Sequence, residues 1–290
     1  MVNLIRSELY RLVKSKCTYI LLLILAVFSV LNPFMFKVID SIEIDMSQVQ
    51  AELEAAEEEM SEEVLDVGYS AYSGDKWFDE EYQITVADFI QENVTGAFVF
   101  LFIAIFAALF FNAELRTGYI KNIITKLRCR CNLAIANFAA VEVMLLLMFI
   151  VNIIVTAAAS YILFDDISFG SVGDLTVYHL VQFLLHSAFV ALIQLMVYLT
   201  RSTAFSMTTG ICISAGLTSV ILVSLSKLII KYLDAPADFS LANYTISGKI
   251  MSVTISTPSG DLIQPIVVGA IWLAAMFSLG CLILKKKDIR

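Results

Sequence analysis

Six long apolar runs constrain this chain more than anything else in it. They cover about residues 18–35, 94–111, 133–164, 177–199, 205–226 and 262–284. Each is near the roughly 20 residues that a helix needs to cross a bilayer. The third, at about 1.5 Å per residue, would run about 45 Å and must tilt or protrude. Inside lipid every backbone N–H and C=O has to be satisfied within the segment, which leaves helices as the expected form. Composition agrees, with 59% of residues hydrophobic and only 16% charged. The expected fold class is an all-α polytopic membrane protein of six transmembrane helices.

The net charge of −8 hides two opposite balances. Residues 37–92 hold 17 acids and two bases, while the rest of the chain holds 10 acids and 17 bases. An acidic segment is thus inserted into a basic membrane body. With six spans both termini share one side, and that side collects Arg6, Arg11, Lys14, Lys16, Arg116, Lys121, Lys126, Arg128, Arg130, Arg201, Lys285, Lys286, Lys287 and Arg290. Those are 14 of the 19 bases; the other side has Lys37, Lys76, Lys227, Lys231 and Lys249. Cationic loops stay in the cytoplasm, so both termini are expected there. The first run is not expected to be a cleavable signal peptide, because Asn32-Pro33-Phe34 offers no small-residue cleavage site.

The expected layout is an amphipathic interfacial helix at 1–17, span 1 at 18–36 and an acidic extracellular segment at 37–92. Spans 2–4 follow at 93–199 around a cytoplasmic loop at 112–131, then span 5 at 200–227. A second extracellular segment covers 228–262, and span 6 with a basic tail covers 263–290. The N-terminal helix alternates Leu4, Ile5, Leu9, Tyr10, Leu12 and Val13 with a polar face expected to carry Arg6, Glu8, Arg11 and Lys14. Residues 46–66 read as a helix with Val49, Leu53, Ala56, Met60 and Val64 on one side. Thr85 and Asp88 mark the start of another, since threonine caps and an acid suits the first turn. Met251, Val253 and Ile255 alternate with polar residues before a turn at Thr257–Gly260, which predicts a strand. The extracellular part is therefore expected to be a small α+β cap.

No disulfide framework is expected, since Cys17, Cys129, Cys131, Cys212 and Cys281 all lie outside the two long polar segments. The Cys129-x-Cys131 pair lacks a second pair or a nearby histidine, so no metal is expected. Asn93-Val-Thr95 and Asn243-Tyr-Thr245 match the glycosylation pattern. Phosphate-binding loops, nucleophile elbows and zinc-protease signatures are absent from the sequence. An enzyme is not expected, and neither is a nucleic-acid partner.

Polar residues within spans are functional candidates. Glu142, Asn137 and Asn152 lie in the third run, and His179, Gln182 and His186 share one face of the fourth. Hydrogen bonding between helices and a proton relay through His186 are the two readings. Ser206, Gly210, Ser214 and Thr218 place a small residue at every fourth position, which fits close packing within the chain or against a second subunit.

The basic amphipathic start from Leu4 to Lys16, the six spans and the loop Glu114-x-x-x-Gly118-x-Ile120-Lys121-Asn122 together resemble the permeases of type-2 ATP-binding-cassette exporters. The large segment between spans 1 and 2 is similar to the Gram-positive peptide-export and bacteriocin-immunity kind. The resemblance implies a homodimer of permeases in a bacterial plasma membrane, above two cytoplasmic ATPase subunits that bind ATP and magnesium; this chain would bind no cofactor. It also implies that Glu114, Arg116, Thr117, Gly118, Tyr119, Ile120, Lys121 and Asn122 form a coupling element seated on the ATPase. After Asn122 the sequence departs from the family's Gly-x-Ser-Arg-like turn, reading Thr125-Lys-Leu-Arg128. In the family spans 1, 2 and 5 meet near the dimer axis. The expected cargo is an amphipathic peptide or hydrophobic toxin. The alternatives are an ion-coupled carrier using Glu142 and His186, and a non-transporting immunity or sensor protein.

Overall fold

The computed structural model describes residues 1–41, 83–96, 98–117, 130–233, 236 and 239–286. Among them every regular element is helical. Helix α1 (Val2–Lys14) leads through Ser15 into α2 (Lys16–Ser41). Then come α3 (Val86–Thr95), α4 (Phe98–Thr117), α5 (Cys131–Leu163) and α6 (Val172–Thr200). The chain continues through α7 (Thr203–Ser214), α8 (Leu217–Leu233), a 3₁₀ turn (Leu241–Tyr244), α9 (Ile246–Ser252) and α10 (Ile263–Lys286). Five helices are long and apolar enough to cross a membrane: α2, α4, α5, α6 and α10. The α7–α8 pair reaches that length together, with a 67° bend between its halves.

Side-chain contacts fix the direction of each helix. Arg11 meets Asn137, Ser29 meets Asn152, and Lys37 reaches the Leu163 carbonyl, so α2 and α5 run parallel. Gln194 bonds the Ala134 carbonyl and Ser187 bonds Glu142, so α6 returns antiparallel to α5. Gly269 packs on Leu184 and Leu185, and Gly280 on Leu195 and Tyr198, so α10 is parallel to α6. Two consecutive parallel helices require the chain between them to cross back. The bent α7–α8 pair lies on that return path, which raises the candidate spans from five to six when the pair is taken as one.

The bend corrects the expectation of one continuous span over 205–226. Gly216 takes φ +74°, and its N–H bonds the Ile213 carbonyl while Ala215 bonds Ile211. A left-handed residue after the last turn ends a helix, and glycine accepts it without a Cβ clash. The second expected span also begins later than 94. Val94 and Thr95 finish α3, and the span starts at Phe98 after a break at Gly96. A Cβ at Gly96 would lie 2.5 Å from the Glu92 carbonyl oxygen, so this junction closes only around glycine.

At the start of α3, Thr85 accepts from the Asp88 N–H and Asp88 accepts from the Thr85 N–H, the box that their spacing predicts. The strand over 251–256 does not form. Helix α9 runs through Ser252, the Val253 carbonyl accepts from Gln182, and the Ile255 N–H donates to Gln91 Oε1 at 2.6 Å. These backbone groups find side chains of α6 and α3, with no neighbouring strand among the described residues. Helices α3 and α9 therefore close one end of the bundle, opposite α1. Residues 46–66 lie outside the described residues.

Helices α4 and α6 are the interior of the bundle, each with 67% of its span buried, whereas α2 and α10 have 22% and 11%. Phe100, Phe106, Phe111, Phe189 and Tyr178 are fully enclosed. The outer face of α2 (Leu23, Val27, Val30, Leu31, Phe34) and that of α10 (Ile263, Ile266, Val267, Ile271) are bare and apolar, as lipid contact requires.

Candidate functional site: a buried charge cluster joining four helices

The sites expected from sequence fall at three levels of the bundle. The most charged lies where α1 meets the ends of α4 and α5. On α1, Ile5, Glu8 and Leu12 recur at i, i+3 and i+7 and so share one face. That face turns toward the bundle, with Glu8 and Leu12 buried. The expected common polar face is thereby split. Arg6 and Lys14 are exposed, while Glu8 is sealed in and Arg11 is 27% exposed. An acid between two core-facing apolar residues was the signal for this burial.

Arg11 is the hub. Its Nη2 lies 2.9 Å from Glu8 Oε2 and its Nη1 2.6 Å from Glu114 Oε1 at the end of α4. Asn137 of α5 donates Nδ2 to Glu114 Oε2 at 2.5 Å, and its Oδ1 is 3.5 Å from Arg11 Nη2. The guanidinium sits over the Phe110 ring at 3.9 Å, a cation–π contact. Near Glu114, Tyr198 of α6 accepts a hydrogen bond at 3.2 Å from Gln194 of its own helix, which also donates to the Ala134 carbonyl of α5. Four helices are thus joined by side chains whose desolvation has to be offset by pairing. Burial pushes the Glu8 carboxyl up to about 8, and the negative Glu114 beside it adds to the rise against the pull of Arg11.

Glu114 accordingly points into the bundle and offers no exposed docking surface. Arg116 and Thr117 form the last turn of α4. Gly118, Tyr119, Ile120, Lys121 and Asn122 lie outside the described residues, as does Cys129.

At the middle level, Glu142 Oε2 accepts from Ser187 Oγ at 2.6 Å. His186 bonds the Gln182 carbonyl through Nδ1 at 2.8 Å and is flanked edge-on by Phe100 and Phe149. His179 bonds the Leu175 carbonyl in the same manner at 2.9 Å. A carbonyl only accepts, so each Nδ1 carries the ring proton. The hydrogen bonds of Glu142 and His186 do not reach one another. Gln182 instead ties α6 to α9, donating to the Ile250 carbonyl at 2.9 Å.

At the far end, a neutral network joins α2, α3 and α5. Ser29 donates to Asn152, Asn152 to the Ile90 carbonyl, Asn93 to Thr156 at 2.9 Å, and Asn32 to Asn93. The small-residue stripe serves packing within the chain. Ser206, Gly210 and Ser214 are buried, and a Cβ at Gly210 would lie 3.0 Å from both Ala104 and Ile193. Thr218 falls beyond the bend. Among the described residues no three acidic, histidine or cysteine side chains group as metal ligands.

No protein-family profile matches this chain, and no curated protein matches it.

Proposed function

We propose that the chain is the permease subunit of an ATP-driven exporter, placed in a bacterial plasma membrane with both termini cytoplasmic. Two copies pair, and two ATPase subunits carrying ATP and magnesium dock on the basic side at residues 116–122, with Glu114 anchoring that segment from inside the bundle. The permease itself performs no chemistry. Its cargo is an amphipathic peptide or hydrophobic toxin, passed across by alternating exposure. The observation that supports this reading best is the Arg11–Glu114 contact. It ties the N-terminal helix to the last turn of α4, just before the basic loop where an ATPase would push. A displacement of that loop is then carried into α1 and α5 at once, because a buried ion pair cannot be pulled apart cheaply. The bare α2 face supplies an apolar surface for the second copy.

Co-expression with a candidate ATPase tests the proposal. A stable complex of two permeases and two ATPases is expected. Gly118→Trp and Lys121→Glu should leave that complex intact while separating ATP hydrolysis from transport. Failure to assemble, or normal transport by both variants, would overturn the assignment. The Glu142–Ser187 pair within the membrane favours a second reading, an ion-coupled carrier. Transport into vesicles driven by a proton gradient without ATP would support that one instead.

A further inference from the structure

Glu8, Arg11 and Glu114 place two acids and one base in a single enclosed junction. Both terminal nitrogens of Arg11 are committed, one to each carboxyl. With every group ionised the junction would hold an uncompensated negative charge, which a buried site does not tolerate. Arg11 holds the two carboxyls against the same guanidinium, close enough for the Glu114 charge to raise Glu8. Two ionised carboxylates have no proton to bridge them and repel. Glu114 is the better supported anion, with Arg11 Nη1 at 2.6 Å and the Asn137 amide at 2.5 Å. Neither oxygen of Glu8 receives a well-aligned hydrogen bond, whereas Glu114 Oε2 receives one from Asn137.

We infer that this junction is a proton-binding site: Glu8 carries one proton and donates it to the Glu114 carboxylate, so that α1 docks onto the bundle with a proton bound and gives it up on leaving.

Among the described residues, the groups facing Glu8 are few. Arg11 lies on its own helix and Glu114 on α4. Asn137, uncharged, comes from α5, and the Tyr198 phenol from α6 stands near Glu114 with the Cys281 thiol of α10 behind it. When α1 leaves the bundle, Glu8 returns from about 8 toward its ordinary value of 4.5. The undocked state then binds fewer protons, so docking is favoured fully below the ordinary value. That advantage is lost as pH rises through about 8. The inference does not depend on what the chain transports.

Hydrogen exchange of the α1 amides, on the full chain in lipid nanodiscs, reads docking directly. Wild type and Glu8→Gln are compared at the same pH so that intrinsic exchange cancels. Between about pH 6 and about pH 9 the wild type should lose at least about tenfold in α1 protection relative to Glu8→Gln, which mimics the protonated acid. A constant ratio across that range would overturn the inference. If Glu8→Gln does not fold, infrared spectroscopy of the wild type replaces it. Absorption of a protonated carboxyl should disappear over the same range and remain in Glu142→Gln. A spectrum that does not change with pH would refute the site.

Discussion

Arg11 of α1 holds Nη1 2.6 Å from Glu114 Oε1 in the final turns of α4, so the N-terminal helix is bolted to the C-terminal end of a long apolar helix. The contact is buried on the glutamate side and only partly open on the arginine side. Removing Arg11 strands two carboxyls in the bundle, whereas removing all the charge does not.

Arg11→Met alone is therefore expected to destabilise the protein by about 3 kcal/mol, the lower end for a broken buried pair because Arg11 keeps some solvent. Adding Glu8→Gln and Glu114→Leu should restore most of that loss. Thermal unfolding in one detergent, read as a series, checks the order. A triple variant less stable than Arg11→Met would contradict it.

Gly96 is a second sharp point. A methyl group there meets the Glu92 carbonyl oxygen at 2.5 Å, and the obstacle is backbone, which cannot swing aside. Gly96→Ala should cost about 1–3 kcal/mol by forcing α3 away from α4, visible as a lowered melting temperature. Gly260→Ala, with nothing near its Cβ, is the control and should change little.

Asn93 fits the glycosylation pattern yet is fully buried, bonded to Thr156 and Asn32. No glycan should be found on it by mass spectrometry after expression in a glycosylating host. Asn152→Leu, which removes the partner of Ser29 and of the Ile90 carbonyl, should cost about 1–3 kcal/mol through the groups left unsatisfied.

How much of this was legible depended on distance along the chain. The apolar runs named the long helices because a lipid-facing helix needs length and little else. The Thr85–Asp88 box was readable because a cap is local. Gly216 was not, since one glycine in an apolar run is compatible with both a straight and a broken helix. The strand at 251–256 failed because alternation describes a half-buried surface, and here that surface is met by Gln182 and Gln91. The charge cluster was visible only in fragments. Glu8 belonged to a polar face, Asn137 to a span and Glu114 to a loop, and nothing local joins them. What brings them together is the parallel packing of α2 and α5, a tertiary fact.

In the proposed exporter role, this junction transmits force between an ATPase and the membrane helices. The direct measurement uses proteoliposomes containing this chain and a candidate ATPase, with a labelled amphipathic peptide as the proposed cargo. It compares wild type with the uncharged triple variant Glu8→Gln, Arg11→Met, Glu114→Leu. The variant is expected to assemble with the ATPase and support ATP hydrolysis at near wild-type rates while peptide transport falls by at least about tenfold, since an uncharged joint keeps the fold but not the ion pair. Wild-type transport by that variant would contradict it.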